Sequence, residues 1–310
     1  MLHYILQIIA FQLFFLMVYD VFLKNETFFN WNRVYLLSTT VLSLILPFIE
    51  IESFKTVVPR DYVIALPEIF LGQAKPLAIS ETVQETVAGT GLDFNWWWLY
   101  GLGVCVAGFI FIYKVFKIYR VLWRNNTQEI NGYKVVTVPS SAIAFSCFGY
   151  VVLGSELSAE EQQTILQHEA IHIDQKHSWD LLLFELLRIV FWFNPLVYMY
   201  QSRISILHEY IADAAAIKNQ GKQAYYKGLL NQVFNTQNIS FINTFFNQSL
   251  IKKRIVMLQK SRSKQTQLIK YALLIPLVFG MLIYTSCDTS ETEVVEQEAS
   301  VLEQIEGLKT

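Results

Sequence analysis

Residues 158–172 read SAEEQQTILQHEAIH, and this stretch decides how the chain folds around its chemistry. Ser158 followed three residues later by Glu161 forms a capping box, which predicts a helix that begins at Ala159 and continues to about His177. On such a helix His168 and His172 lie one turn apart on the same face, and Glu169 follows the first of them. Two imidazoles at this spacing can bind one metal ion while the carboxylate reaches a water molecule on it, so the stretch predicts a metal-dependent hydrolytic site.

A catalytic zinc ion needs three protein ligands and an open position for water. The dipeptide Asn194-Pro195 predicts the start of a second helix, and Glu209 on that helix is the predicted third ligand. His208 is the alternative ligand that the sequence leaves open; otherwise His177 and His208 are predicted to be surface or supporting side chains. Asp213, one turn beyond Glu209, is predicted to accept the spare ring N–H of a ligating histidine.

The composition indicates a membrane protein. Of 310 residues, 53% are hydrophobic and only 16% are charged, with a mean hydropathy of +0.34, whereas soluble domains carry about 25% charged residues. Apolar runs long enough to approach the thickness of a bilayer predict about four transmembrane helices. They cover residues 2–23 and 34–49, which form a hairpin within residues 1–50, and residues 96–113 and 271–286.

Lysine and arginine residues cluster after residue 113 and before residue 271. Basic residues mark cytoplasmic loops, so residues 114–270 are predicted to be a cytoplasmic peptidase domain. Residues 51–95 then form an extracytoplasmic loop, and residues 287–310 form an acidic extracytoplasmic tail. The prediction is a multi-pass protein of the cell (inner) membrane, in contact with the lipid bilayer and with its peptidase domain facing the cytoplasm.

Strand signals lie at the start of the predicted cytoplasmic domain. Asn131-Gly132 favours a type I′ turn between residues 127–130 and residues 133–138, and residues 142–153 are predicted to continue the sheet. An extended peptide substrate could add to this last segment by backbone hydrogen bonds. The residues predicted to bind it are Ala144, Phe145 and Ser146.

Two classes of function are disfavoured by charge and cysteine usage. The net charge of −2 provides no basic field for nucleic acid, so no direct nucleic-acid partner is predicted. The three cysteines are widely spaced and form no CxxC pair, which argues against a disulfide framework or a thiolate metal site. Any metal is therefore expected to be held by histidine and carboxylate side chains.

Taken in order, these features resemble the BlaR/MecR-type transmembrane zinc metallopeptidases of the gluzincin group. The resemblance covers residues 1–286 and rests on the predicted spans, the His168–His172 motif, Asn194-Pro195, Glu209 with Asp213, and the basic run at residues 251–255. It implies an α-helical membrane protein of about four transmembrane helices with a cytoplasmic α+β gluzincin-like zinc peptidase domain. It also implies one Zn²⁺ per chain and Glu169 as general base.

The resemblance further implies a signal-transducing endopeptidase that cleaves itself or a cytoplasmic transcriptional repressor of the winged-helix type, in regulation of resistance or stress genes. Members that sense β-lactams carry a large penicillin-binding domain after the fourth span. Only about two dozen residues follow residue 286 here, so that sensor domain is expected to be lacking. A homodimer is left open.

Two alternatives also stay open. An HtpX-like quality-control protease would place membrane spans between the HExxH motif and its later glutamate, and a lipid-embedded position 190 would favour it. Residues 181–193 are apolar but short and include Glu185 and Arg188, so a buried or interfacial helix is predicted there instead. The other alternative is a catalytically silent membrane receptor, against which the intact Glu169 argues.

Overall fold

A computed structural model of the chain describes residues 2–49, 51, 96–221, 225 and 241–286. The predicted outer loop and acidic tail lie outside these residues, apart from Ile51. The helices are α1 (Leu2–Val18, continued by a π-helical turn at Tyr19–Leu23), α2 (Phe29–Ile45, followed by a 3₁₀ turn at Leu46–Phe48), α3 (Trp96–Arg124), α4 (Ala159–Asp174), α5 (His177–Val190), α6 (Pro195–Gln220), α7 (Phe241–Gln259) and α8 (residues 274–286, preceded by a 3₁₀ segment at Gln265–Leu273).

Three helical segments in the described ranges are long and apolar enough to cross a membrane: His3–Leu23, Trp96–Arg124 and Gln265–Ser286. They contain the first, third and fourth predicted spans, and the third runs eleven residues further than the predicted end at residue 113. The second predicted span corresponds to α2, which has only 17 residues. It buries a polar face that includes Asn32 and Thr39. A count of four spans therefore stays a prediction.

The strands form one four-stranded sheet in the order β1-β2-β4-β3, with bounds β1 (Thr127–Ile130), β2 (Tyr133–Val138), β3 (Ala144–Cys147) and β4 (Tyr150–Gly154). The predicted Asn131-Gly132 turn is confirmed, with φ of 53° and 82° at its two residues. Residues 142–153 do join the sheet, but as two antiparallel strands rather than one, because Phe148-Gly149 forms a second turn with positive φ. Strand β3 thereby becomes an edge strand.

The capping box is confirmed: the Ser158 hydroxyl accepts a bond from the Glu161 backbone N–H, and the Glu161 side chain accepts one from the Ser158 N–H. The predicted helix end near His177 is wrong. Helix α4 stops at Asp174 because Lys176 adopts a left-handed conformation with φ 56°, and α5 starts at His177 in a new direction. This break places His177 behind the metal-binding face of α4 instead of further along it.

Two apolar cores hold the site between them. Helices α1, α2, α5 and α6 pack around residues such as Phe15, Leu36 and Phe184, each with no exposed surface. The second core joins the sheet to α4. Burial of Leu166 in this second core contributes about 1.5–3 kcal/mol to stability, and it fixes the HExxH helix against the sheet.

Candidate metal centre

Helix α4 presents both histidines of the HExxH motif to one point. The Nε2 atoms of His168 and His172 lie 3.3 Å apart, because residues four apart share a helix face. Burial lowers the pKa of His172 to about 4, so its imidazole is neutral at physiological pH. A neutral imidazole nitrogen is the form that binds zinc.

Helix α6 brings the third candidate ligand to the same point. The Asn194 side chain accepts a bond from the Leu196 N–H at the helix start, and Glu209 lies almost four turns further along. Its carboxylate oxygens are 3.5 Å from His168 Nε2 and 3.7 Å from His172 Nε2. Although burial opposes ionisation, the neighbouring His168 and the charge of Arg254 lower the pKa of Glu209 to about 2.

The donor set fits zinc. One atom each from His168, His172 and Glu209 lies within 4.8 Å of the other two, and two imidazole nitrogens with one carboxylate oxygen are a common catalytic zinc set that leaves a position for water. His208, the alternative ligand, does not reach this point, since its Nε2 bonds to Asp180 at 2.8 Å.

The candidate base lies between the metal-binding face and the sheet. Glu169 accepts a side-chain hydrogen bond from Ser146 on strand β3. Burial is the largest influence and raises the pKa of Glu169 above its usual value, while the Ser146 bond opposes the rise. A carboxylate with a raised pKa suits a proton acceptor that must also return the proton.

All three predicted substrate-binding residues, Ala144, Phe145 and Ser146, lie on the edge strand β3. Their partners on β4 are Leu153, Val152 and Val151, and no strand in the described part of the chain pairs with the other edge. A cavity of about 250 Å³ opens at the end of β3, with His172, Phe148 and Trp179 in its wall. The structure thus combines an open strand edge and a side-chain cavity beside the HExxH helix.

Asp213 supports His168 indirectly. The predicted direct contact is too long for a hydrogen bond, at 3.8 Å from Asp213 Oδ1 to His168 Nδ1. The hydroxyl of Tyr225 lies between them, 2.6 Å from Asp213 Oδ1 and 3.1 Å from His168 Nδ1. Because the hydroxyl donates to the carboxylate, it can accept the His168 Nδ1–H, which leaves Nε2 free to bind metal.

Arg254 completes this side of the centre, and the sequence did not reveal it. Its guanidinium donates two bonds to Asp213, one of them at 2.8 Å from Nε, and lies 3.1 Å from Glu209 Oε2. The side chain is buried although it belongs to the basic run 251–255, whose lysines at 252 and 253 are exposed. Only the pattern of buried and exposed positions along α7 distinguishes Arg254 from the two lysines before it.

A second chain of contacts connects His172 to α2, in the α1–α2 hairpin. His172 Nδ1 lies 2.7 Å from His177 Nδ1, and the His177 ring stacks on His208 with centroids 3.8 Å apart. His208 bonds to Asp180, which Arg33 on α2 holds with two bonds of 2.6 and 3.2 Å. His177 and His208 are 1% and 2% exposed, so they support the ligands and are not surface residues.

Burial opposes ionisation of Asp180, yet hydrogen bonds from His208 and Arg33 lower its pKa below the usual value. A permanently charged Asp180 fixes the N–H of His208 on Nε2. Sequence reasoning missed Arg33 and Asp180, because neither belongs to a motif and 147 residues separate them.

A bundle of membrane helices that holds an HExxH helix against a later glutamate defines a membrane-associated metallopeptidase architecture. Comparison with known families agrees: the family described as BlaR1 peptidase M56 matches residues 8–258. The chain belongs to this peptidase family, as the resemblance predicted.

A curated relative points the same way. The regulatory protein BlaR1 of Bacillus licheniformis is 24% identical over 239 residues, which cover 63% of this chain and 39% of that protein. The chain therefore matches well under half of the length of this relative.

Proposed function

We propose that this protein is a zinc endopeptidase of the cell (inner) membrane that transmits a signal by cleaving itself, a cytoplasmic repressor or both. The observation that carries the proposal is the convergence of His168, His172 and Glu209 on one point beside Glu169. Membership of the BlaR1 peptidase family supports both the peptidase chemistry and a regulatory role.

The catalytic roles follow from the positions of the side chains. Zinc bound by the three ligands would polarise the scissile carbonyl and make an attacking water more acidic. Glu169 takes the proton of that water as general base and returns it to the leaving amine. The Ser146 hydroxyl orients the Glu169 carboxylate, and Tyr225 with Asp213 keeps His168 in the tautomer that can bind metal. Peptide hydrolysis then proceeds without a covalent intermediate.

A protein substrate fits the surface beside this centre. The unpaired edge of β3 offers backbone N–H and C=O groups to an extended chain, and the cavity beside His172 can take one of its side chains. Ala144, Phe145 and Ser146 are the proposed contacts. We expect the substrate to be a peptide segment in extended conformation, such as an exposed loop of a winged-helix repressor.

The contacts of the α1–α2 turn support a cytoplasmic position for the centre. Lys260 donates to the backbone carbonyl of Asn25, and Thr27 and Ser263 exchange two hydrogen bonds of 2.8 and 2.9 Å. The turn and the basic segment before α8 therefore lie on one side of the membrane. By the positive-inside rule this side is the cytoplasm.

The test compares newly formed protein N-termini in cells that express the wild type, Glu169→Gln or Glu160→Gln. Glu160 is exposed on the same helix and serves as the matched control. We expect Glu169→Gln to retain zinc, measured by elemental analysis of the purified protein, and to lose the new N-termini, while Glu160→Gln keeps both.

Each function has its own outcome in this comparison. Cleavage of one repressor or of the chain itself supports the signalling role, whereas many unrelated membrane substrates would point to quality control. Undiminished cleavage by Glu169→Gln would overturn the mechanism. Absence of any new N-terminus in induced wild-type cells would favour the silent receptor.

A further inference from the structure

Helices α5 and α6 form a hairpin whose two ends differ in polarity. At its base, where α5 begins and α6 approaches Glu209, lie the buried polar residues His177, Asp180 and His208. The hairpin turn at residues 191–194 lies about 20 Å away, because α5 contains 14 residues that each advance about 1.5 Å. Contacts of this turn with two membrane helices, α3 and α1, indicate its depth in the bilayer.

The first indication comes from contacts with α3. The Tyr100 hydroxyl donates to the carbonyl of Val190 at 3.0 Å, and Gly103 contacts the ring of Trp192 so closely that a Cβ there would overlap it. These two α3 residues lie four and seven positions beyond Trp96, where the span begins. At about 1.5 Å per residue they are roughly 6 and 10 Å along the helix from Trp96, which places them within the span and at the opposite end from its basic residues.

The second indication comes from contacts with α1. The Asn194 side chain donates to the Gln12 side chain at 2.8 Å, and the Tyr200 hydroxyl donates to the Gln12 backbone carbonyl at 3.3 Å. Gln12 lies nine residues from His3 and eleven from Leu23, the ends of this span, which puts it at about the middle of the bilayer. Both spans therefore place the hairpin turn deep in the hydrocarbon layer.

The surface of the hairpin agrees with that depth. Five large apolar or aromatic side chains around the turn are between 37% and 48% exposed in the isolated chain. They are Leu186, Val190, Phe193, Tyr198 and Met199. Such a band would be unfavourable in water, and it continues the exposed apolar surface of α3.

The two charged side chains in the middle of the hairpin, Glu185 and Arg188, have partners inside the protein, as a membrane environment favours. Arg188 donates to Glu185 and Gln201 at 3.0 and 2.9 Å and covers the Tyr198 ring. Lys114 on α3 lies 3.3 Å from the Glu185 carboxylate. The two charges that argued against a membrane location in the sequence are therefore neutralised by partners.

We propose that α5 and α6 form a re-entrant membrane hairpin, and that its outer face contacts the acyl chains of the bilayer. Residues 114–270 are then not a freely soluble domain, since the hairpin enters from the metal-centre side and returns to it. The metal centre lies at the membrane surface, within reach of substrate segments close to the bilayer. Position 190 is lipid-facing in this arrangement without any additional complete span, so its depth does not by itself favour the quality-control alternative.

The test uses nitroxide labels on single cysteines in the full chain, reconstituted in vesicles of phosphatidylcholine and phosphatidylglycerol. Cys105, Cys147 and Cys287 are replaced by serine, and labels are placed at Val190, Phe193 and Met199. Phe109, 72% exposed in the middle of α3, is the lipid control, and Glu160 on α4 is the water control. Relaxation of each label by oxygen is compared with relaxation by a water-soluble nickel chelate.

We expect oxygen to be the stronger relaxant at the three hairpin positions by severalfold, as at Phe109, and the nickel chelate to be stronger at Glu160. Stronger relaxation by the nickel chelate at the hairpin would overturn the proposal. Low accessibility to both reagents would overturn the lipid contact in favour of a second protein chain. Labels measured in the Glu169→Gln background give the same answer, so the result does not depend on the proposed peptidase activity.

Discussion

Tyr225 donates a 2.6 Å hydrogen bond to Asp213 and presents the same hydroxyl oxygen to Nδ1 of His168. Burial and the neighbouring Asp213 carboxylate raise the pKa of Tyr225, so the hydroxyl keeps its proton and its direction of donation is fixed. The tautomer of one candidate metal ligand is therefore set through a tyrosine, which connects it to Asp213.

Replacement of Tyr225 by phenylalanine removes this link and leaves the three ligands in place. We expect zinc affinity to fall about tenfold to hundredfold, the usual effect of losing a group that orients a ligand. Competition with a chromophoric chelator measures it. Tyr198→Phe, which removes a hydroxyl bonded to a backbone carbonyl far from the ligands, is the control; an equal loss in both variants would contradict the assignment.

The Ser146 hydrogen bond predicts the pH dependence of cleavage. Glu169 must be ionised to accept a proton, so activity rises with pH through the pKa of this group. Burial raises that pKa and the Ser146 bond lowers it. Ser146→Ala should therefore move the acid limb of kcat/KM to higher pH, by up to about one unit. A limb that stays in place or moves to lower pH would show that Ser146 does not act on Glu169.

Arg254 predicts a large effect on stability. Asp213 has no exposed surface, and removal of its guanidinium partner leaves a buried charge without compensation. We expect Arg254→Met to lower the free energy of unfolding by about 3–5 kcal/mol. Lys253→Met on the exposed side of α7 should change it by less than about 0.5 kcal/mol. Denaturant unfolding of both proteins in detergent compares them, and a small effect of Arg254→Met would exclude a structural ion pair.

Local patterns predicted the parts of this fold that depend on neighbouring residues. The capping box at Ser158, the Asn131-Gly132 turn and the Asn194-Pro195 helix start each use contacts within four residues, and each is found where the sequence predicts it. The same holds for the two histidines on α4, since helical spacing alone brings them together.

Contacts between distant segments could not be predicted in this way. Tyr225 and Arg254 meet Asp213 from 12 and 41 residues away, and no local pattern distinguishes them from other tyrosines and arginines. The α5–α6 hairpin has the same difficulty, because its apolar run is too short for a span. Only contacts with α1 and α3 reveal its depth.

The last prediction concerns the Arg33–Asp180 pair, which links the α1–α2 hairpin to the metal centre. Arg33 holds Asp180, Asp180 orients His208, and the His208–His177 stack lies against His172. Arg33→Met should lower cobalt and zinc affinity about tenfold and change the visible spectrum of the cobalt form, since His172 loses its fixed orientation. Arg203→Met is the control, because Arg203 on α6 binds Asp20 at the end of α1 by two 2.9 Å bonds, away from the ligands. Both variants lose an ion pair, and Arg33→Met also loses two hydrogen bonds to Gln175 at the end of α4. Only Arg33→Met should alter the metal spectrum, and Arg33→Lys should restore part of it. Identical spectra for the two methionine variants would reduce the Arg33–Asp180 pair to a purely structural contact.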